Sequence, residues 1–327
     1  MSYALRRRAW RSAPTRLLQI GLFLLLALLV QQVLALQLHR HLSLWLANAQ
    51  RDSSPAGVGL AGLRVRQQAL PLAGIDGNLS GVVYDPQRDQ LWSVVNSPPQ
   101  LQLLSTSGAV LERYGLNGFQ DVEDLTLLGD DLLLLVEERS HALVVVPLPT
   151  RSGPLERADY RAFTLGLGAG GNNGFEGVAY DREGDRLYVV KERSPLALYE
   201  IQGLRRSVHG AFDLAVLDRS AWVLDQALVT DLSAVHFDAA SGHLLLLSDE
   251  SRLLVELSDQ GELIATRSLL RGFAGLGRSV PQAEGLTLDG HGNLYLVSEP
   301  NLFYRFSRGE YTRPRRRSTA ARRSCRG

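Results

Sequence analysis

Carboxylates recur in this 327-residue sequence at two fixed places. Ser80, Glu123, Glu176, Ser233 and Glu284 hold the second place of five related segments. These read LSGVVYD from Leu79, VEDLTLL from Val122, FEGVAYD from Phe175, LSAVHFD from Leu232 and AEGLTLD from Ala283. A second polar set, Asn96, Glu138, Glu192, Glu250 and Glu299, follows at offsets of 16, 15, 16, 17 and 15 residues. Members of the first set are separated by 43, 53, 57 and 51 residues. A constant step inside the repeat and a variable step between repeats describe one supersecondary unit joined by loops of different length. If the units form a ring, seven carboxylates meet around one opening, and like charges that close repel unless neutralised. A hard cation such as Ca²⁺, which takes about six to eight oxygen ligands, is one neutraliser. Arginine is the other: Arg139, Arg193 and Arg252 lie one or two residues past outer glutamates, and Lys191 just before one. The spacing therefore predicts a site for Ca²⁺ or another divalent cation on Glu123, Glu176 and Glu284. A ligand would be contacted by Glu138, Glu192, Glu250, Glu299, Arg139, Arg193 and Arg252. The plainer alternative is scaffolding, in which the carboxylates satisfy backbone N–H groups and pair with the arginines.

The elements that must position these residues are strands. Each first segment is followed by a short polar turn, a second apolar run (LWSVV, LLLLV, LYVV, LLLLS, LYLVS), a polar knot and a third run. The runs are short, rich in β-branched and aromatic residues, and bounded by Gly, Asp and Asn. A period of roughly 50 residues with three or four strands is that of a propeller blade. Adjacent strands run antiparallel, so the start of the first lies beside the end of the second, and both polar sets fall on one face. The fold class is all-β, a five-bladed β-propeller, with six blades the alternative if residues 146–173 or 203–230 hide a degenerate one. Residues 63–72 read as a lone strand that completes the last blade and closes the ring.

The ends differ from the middle. Residues 1–16 carry five arginines and residues 313–327 carry seven, neither stretch with an acid. With those set aside, 23 basic residues face 34 acidic ones, a field that would repel nucleic acid. Residues 17–36 (LLQIGLFLLLALLVQQVLAL) are uncharged and long enough to span a bilayer. The preceding arginines would stay in the cytoplasm, placing the rest on the periplasmic side of an inner membrane. The run exceeds a usual signal-peptide core and Val33-Leu34-Ala35 is a weak cleavage site, so a single-pass, uncleaved transmembrane anchor is expected. The expected organisation is a basic cytoplasmic segment (1–16), anchor (17–36), amphipathic segment and linker (37–62), propeller (63–312) and basic tail (313–327). The only cysteine is Cys325, so no disulfide can form within the chain. GxSxG, P-loop, HExxH and CxxC motifs are absent, and the histidines have no ligand spacing.

NLSGVVYD, GFQDVEDL, VEERSHALVVV, GFEGVAYD, VKERSPLALYEI, LLLLSDESRLLVEL, QAEGLTLD and NLYLVSEPNLFYRF, in this order, resemble the SdiA-regulated family of bacterial proteins. The resemblance runs from about Leu79 to Phe306 and implies a β-propeller tethered to the inner membrane. It carries over no catalytic residue. The arginine-rich tail and the inner serines Ser80 and Ser233 depart from the family pattern.

Two functions follow as expectations. One is a membrane-anchored module binding a cation, a small ligand or a protein on its acidic face. The other is a metal-dependent hydrolase of phytase, esterase or lactonase type, with the three glutamates on the metal and the arginines on an anionic substrate; it rests on analogy of fold.

Overall fold

Continuous apolar runs such as Leu132–Glu137 and His243–Ser248 make sense only if both faces of a strand are buried. The computed structural model, which describes residues 17–28, 30–31, 41–46, 57–166, 174–193, 195–226 and 228–308, shows what covers them. Leu133 and Leu135 pack toward one neighbouring blade, Leu134 and Val136 toward the other. Leu244 and Leu246 are separated from Leu245 and Leu247 in the same way. The apolar interior is thus five wedges, one between each pair of adjacent blades. Burying each such leucine contributes about 1.5–3 kcal/mol, so the second strands anchor the ring.

Five antiparallel sheets follow the sequence order. Blade I comprises Leu79–Asp85, Gln90–Val95, Gln100–Ser105 and Val110–Asn117. Blade II comprises Val122–Gly129, Leu132–Glu137, Ala142–Pro147 and Ala162–Thr164. Blade III comprises Phe175–Asp181, Arg186–Lys191, Ala197–Gln202 and Ala215–Asp218. Blade IV comprises Ala234–Asp238, His243–Ser248, Leu253–Leu257 and Leu263–Ser268. Blade V takes Ala283–Leu288, Leu294–Ser298 and Leu302–Arg308, and its outer strand comes from Leu63–Pro71. That strand pairs antiparallel with Leu302–Arg308, Leu63 opposite Arg308 and Leu70 opposite Phe303, and closes the circle.

The five-bladed reading holds and the six-bladed alternative does not. Residues 146–173 supply the outer strand of blade II and a short strand, Leu155–Glu156, added parallel to blade I. Residues 203–230 supply the outer strand of blade III flanked by two short helices, Leu204–His209 and Ala221–Leu224. Every blade strand and every buried member of the five wedges lies within residues 57–308, so the ring closes within that range; Leu44, from the helical residues 41–46, packs against one wedge from outside it.

The repeated terminal Asp of the first segments is structural. Asp289 accepts the His291 and Asn293 N–H groups and the Tyr295 hydroxyl, and Asp181 accepts the Glu183 and Gly184 N–H groups. Each fastens the turn to the second strand by the Asx mechanism.

Residues 17–28 are helical, and their large apolar side chains, Leu17, Leu22, Phe23 and Leu26 among them, are exposed. Among the described residues no helix is long and apolar enough to cross a membrane. The rest of the 17–36 segment, apart from 30 and 31, lies outside the described residues, as do 1–16, the linker residues 47–56 and the tail 313–327.

Candidate functional site: the acidic mouth of the channel

Each repeat begins with a chain reversal that sets the inner polar residue beside the outer one. Asn78, Asp121 and Gln282 stand two residues before Ser80, Glu123 and Glu284, with left-handed backbone (φ of 56°, 54° and 26°). Their carbonyls accept the N–H of Asn96, Glu138 and Glu299, each at 2.9 Å. This bond fixes the offset of about 15 residues seen in the sequence: it ties the start of the first strand to the end of the second. The third residue of each segment lies where neighbouring inner strands touch. A Cβ on Gly177 would sit 2.8 Å from the Ala234 Cα, and one on Gly285 2.7 Å from the Ser80 carbonyl oxygen. At Gly177 and Gly285 the close approach of two backbones leaves no room for a side chain.

Blade II gathers the densest charge. Asp121, Glu123 and Glu138 each offer a carboxylate oxygen, all within 4.8 Å of one another, and this group could hold a metal ion. Blade I orients Glu123: the Ser80 hydroxyl donates to Glu123 Oε2 at 3.2 Å, and the Asn96 amide donates to Glu123 Oε1. The two non-acidic ring members of blade I therefore act as hydrogen-bond donors to a neighbouring acid. Glu138 also accepts the Gly174 N–H at 3.0 Å, and Asp121 pairs with Arg139 at 2.5 Å.

The other ring members face the same opening. Burial, then the charges of Glu138 and Asp121, push Glu123 up to about 8. Burial, then Glu123, Glu138, Glu192 and Glu284, push Glu176 up to about 10. Burial, with Glu299, Asp249 and Glu192 adding to it, raises Glu284 to about 7. Carboxyl groups feel one another in this way only when they share a poorly hydrated space. At neutral pH Glu123 and Glu176 therefore carry protons, unless a cation takes their place.

The arginines are divided. Arg193 bridges Glu192 and Glu250 across two blades, each contact at 2.5 Å. Arg139 holds Asp121, and the Arg252 guanidinium donates to the Val280 carbonyl at 2.7 Å. Ser233 donates to the Ala283 carbonyl at 2.7 Å. Glu176 and Glu284 border the blade II group without belonging to its three closest carboxylates.

Two residues were missed in the sequence. Asp121 could have been found from the polar or glycine residue that precedes every inner ring position by two places (Asn78, Asp121, Gly174, Asp231, Gln282). Asp124 occupies the collar position that is Gly or Ala in the other four repeats. Its side chain is buried, accepts the Val178 N–H at 2.8 Å, and titrates well above the usual carboxylate range because of that burial. Its signal was the break in the small-residue pattern.

A family model described as SdiA-regulated matches residues 56–307. The chain belongs to that family. Among solved structures, it is similar to a streptogramin B lyase at 8% identity and TM-score 0.46, over 76% of this chain and 99% of that one. It is similar to luciferin-regenerating enzyme at 12% identity and TM-score 0.46, over 74% and 95%. A virginiamycin B lyase from Staphylococcus aureus has 12% identity and TM-score 0.40, over 72% and 68%.

Proposed function

We propose that this SdiA-regulated protein is a binding module whose acidic channel mouth takes a hard divalent cation, Ca²⁺ or one like it. On this reading the propeller stands on the periplasmic side of the inner membrane, tethered by the segment 17–36. The observation that carries the cation is the set of three carboxylates, Asp121, Glu123 and Glu138, with oxygens within 4.8 Å. Their chemistry fits the ion: all donors are carboxylate oxygens, with no soft ligand among them. Ser80 and Asn96 would act as the supporting shell that keeps Glu123 aimed. Glu176 and Glu284 would lie next to the ion, and Glu192, Glu250 and Glu299 with Arg193 would form the rim that a small ligand or a protein touches.

Exposed leucines and Phe23 on the helix at 17–28, preceded by five arginines, support the tether. The acidic balance of the chain between its basic ends speaks against nucleic acid as partner.

Thermal unfolding with and without Ca²⁺ tests the module. At about 100 times its dissociation constant a ligand adds about 2.7 kcal/mol. That is a rise of roughly 5–10 °C for a domain of this size. The rise is expected in the native protein and absent in Glu123→Gln and Glu138→Gln. Unchanged melting on Ca²⁺ addition would contradict the reading. Ca²⁺-dependent hydrolysis of phosphoesters or lactones, lost in Glu176→Gln, would make the site an active site instead.

A further inference from the structure

A well-formed cavity of the propeller lies away from the acidic mouth. It opens at the other end of the channel, on the ring axis, with a volume of about 400 Å³. All five repeat segments contribute their fourth, fifth and sixth residues to its wall; the third residues do not line it. The collar of close-packed inner strands therefore stands between this cavity and the carboxylates of the second position.

The wall chemistry is of one kind. Leu127, Phe237 and Leu288 supply apolar surface. Most charged groups at the mouth are already engaged: Arg182 with Asp130 at 2.9 Å, Asp85 with Arg88 at 2.8 Å, Asp238 with Ser241 and Asp289 with its turn; Asp131 stands exposed at the rim. Among the polar side chains of the inner wall, one ring reaches toward the axis without a partner. The His236 ring lines the cavity and makes no hydrogen bond to the described residues. Burial pushes its pKa down to about 4, so the imidazole is neutral, with one nitrogen able to donate and the other to accept. A largely apolar pocket of this volume with a few directed polar groups is how small-molecule sites are built.

We infer that this axial cavity is a second binding site, for a neutral, largely apolar small molecule that hydrogen-bonds His236. It has no need of the cation and lies on the opposite side of the collar from it. The charged residues of the lining, Asp131 among them, stand in the turns at its rim, so an ionic ligand would have to be desolvated against an inner wall without counter-charge.

Nile red, a neutral and largely apolar dye with hydrogen-bond acceptors, serves as the probe, titrated into residues 57–308 and followed by fluorescence. One saturable site per chain is expected. Ala240 lines the cavity from an exposed turn, as does Ala239, so a larger side chain there fills the space without entering the core. Ala240→Trp and Ala239→Trp are each expected to weaken binding about tenfold or more, with melting temperature unchanged. His236→Leu, which keeps the wall apolar, is expected to weaken it about fivefold or more through loss of the one hydrogen bond. Leu224→Ser, at an exposed apolar residue outside the cavity, is expected to bind as the native chain does. Absence of a saturable site, native-like binding by both Trp variants, native-like binding by His236→Leu, or loss of binding in Leu224→Ser would each overturn the inference.

Discussion

Glu123 is the residue on which the acidic mouth turns. Its carboxyl lies between two donors from blade I and two acids of its own blade, and burial holds its proton on to about 8. A carboxyl raised in the folded state adds stability at acid pH, where both states are protonated as native structure prefers. That contribution is lost as pH rises through the folded value. Glu284, raised to about 7, acts in the same direction. Without a cation the melting temperature is therefore expected to fall by roughly 10 °C or more from about pH 5.5 to about pH 8. Glu123→Gln is expected to flatten part of that slope, and Ca²⁺ to reverse it at the alkaline end; a melting series across pH reads all three. Asp124 gives a separate expectation. Asn keeps an acceptor for the Val178 N–H, whereas Ala leaves that group orphaned. Asp124→Asn should unfold within about 0.5 kcal/mol of the native protein and Asp124→Ala about 1–3 kcal/mol earlier, by urea denaturation. The ten ring positions were legible in the sequence because antiparallel pairing of the first two strands, tied off in three blades by a backbone hydrogen bond, holds their spacing nearly constant. Asp121 and Asp124 were harder to read: the place of Asp121 is filled by five residues of differing chemistry, and Asp124 shows only as one break in a small-residue pattern.

At the scale of elements, the strands were readable for a physical reason. Second strands such as Leu132–Glu137 are buried on both faces, so their sequence is uniformly apolar, and their turns carry Asp or Gly. The small third residue was equally readable as a pattern but not as a cause. Its cause is the 2.8 Å that separates a Gly177 Cβ from the Ala234 backbone. Gly177→Ala must push two inner strands apart and is expected to cost about 1–3 kcal/mol in denaturant unfolding; an unchanged midpoint would show that the collar is looser than described. What sequence did not disclose were the short strand Leu155–Glu156 and the helices Leu204–His209 and Ala221–Leu224. They are too short for periodicity, and contacts with the neighbouring blades decide them.

For the whole molecule, the ring closes by joining the two ends of the propeller, Leu63–Pro71 against Leu302–Arg308. The sequence announced this closure because its last repeat lacked an outer strand and a lone strand stood before its first. The tether is argued from charge and hydropathy. Full-length chain is expected in the membrane fraction after carbonate washing, and residues 57–308 in the soluble fraction; full-length chain released by carbonate would contradict it. On the proposed reading, protons and a cation compete at the mouth for the same carboxylates. Calorimetry of Ca²⁺ binding to residues 57–308 in buffers of different ionisation enthalpy measures that competition. At about pH 7 the account predicts a single site, release of about one proton per ion, and loss of both in Glu123→Gln. Binding without proton release, or no binding at millimolar Ca²⁺, would contradict it.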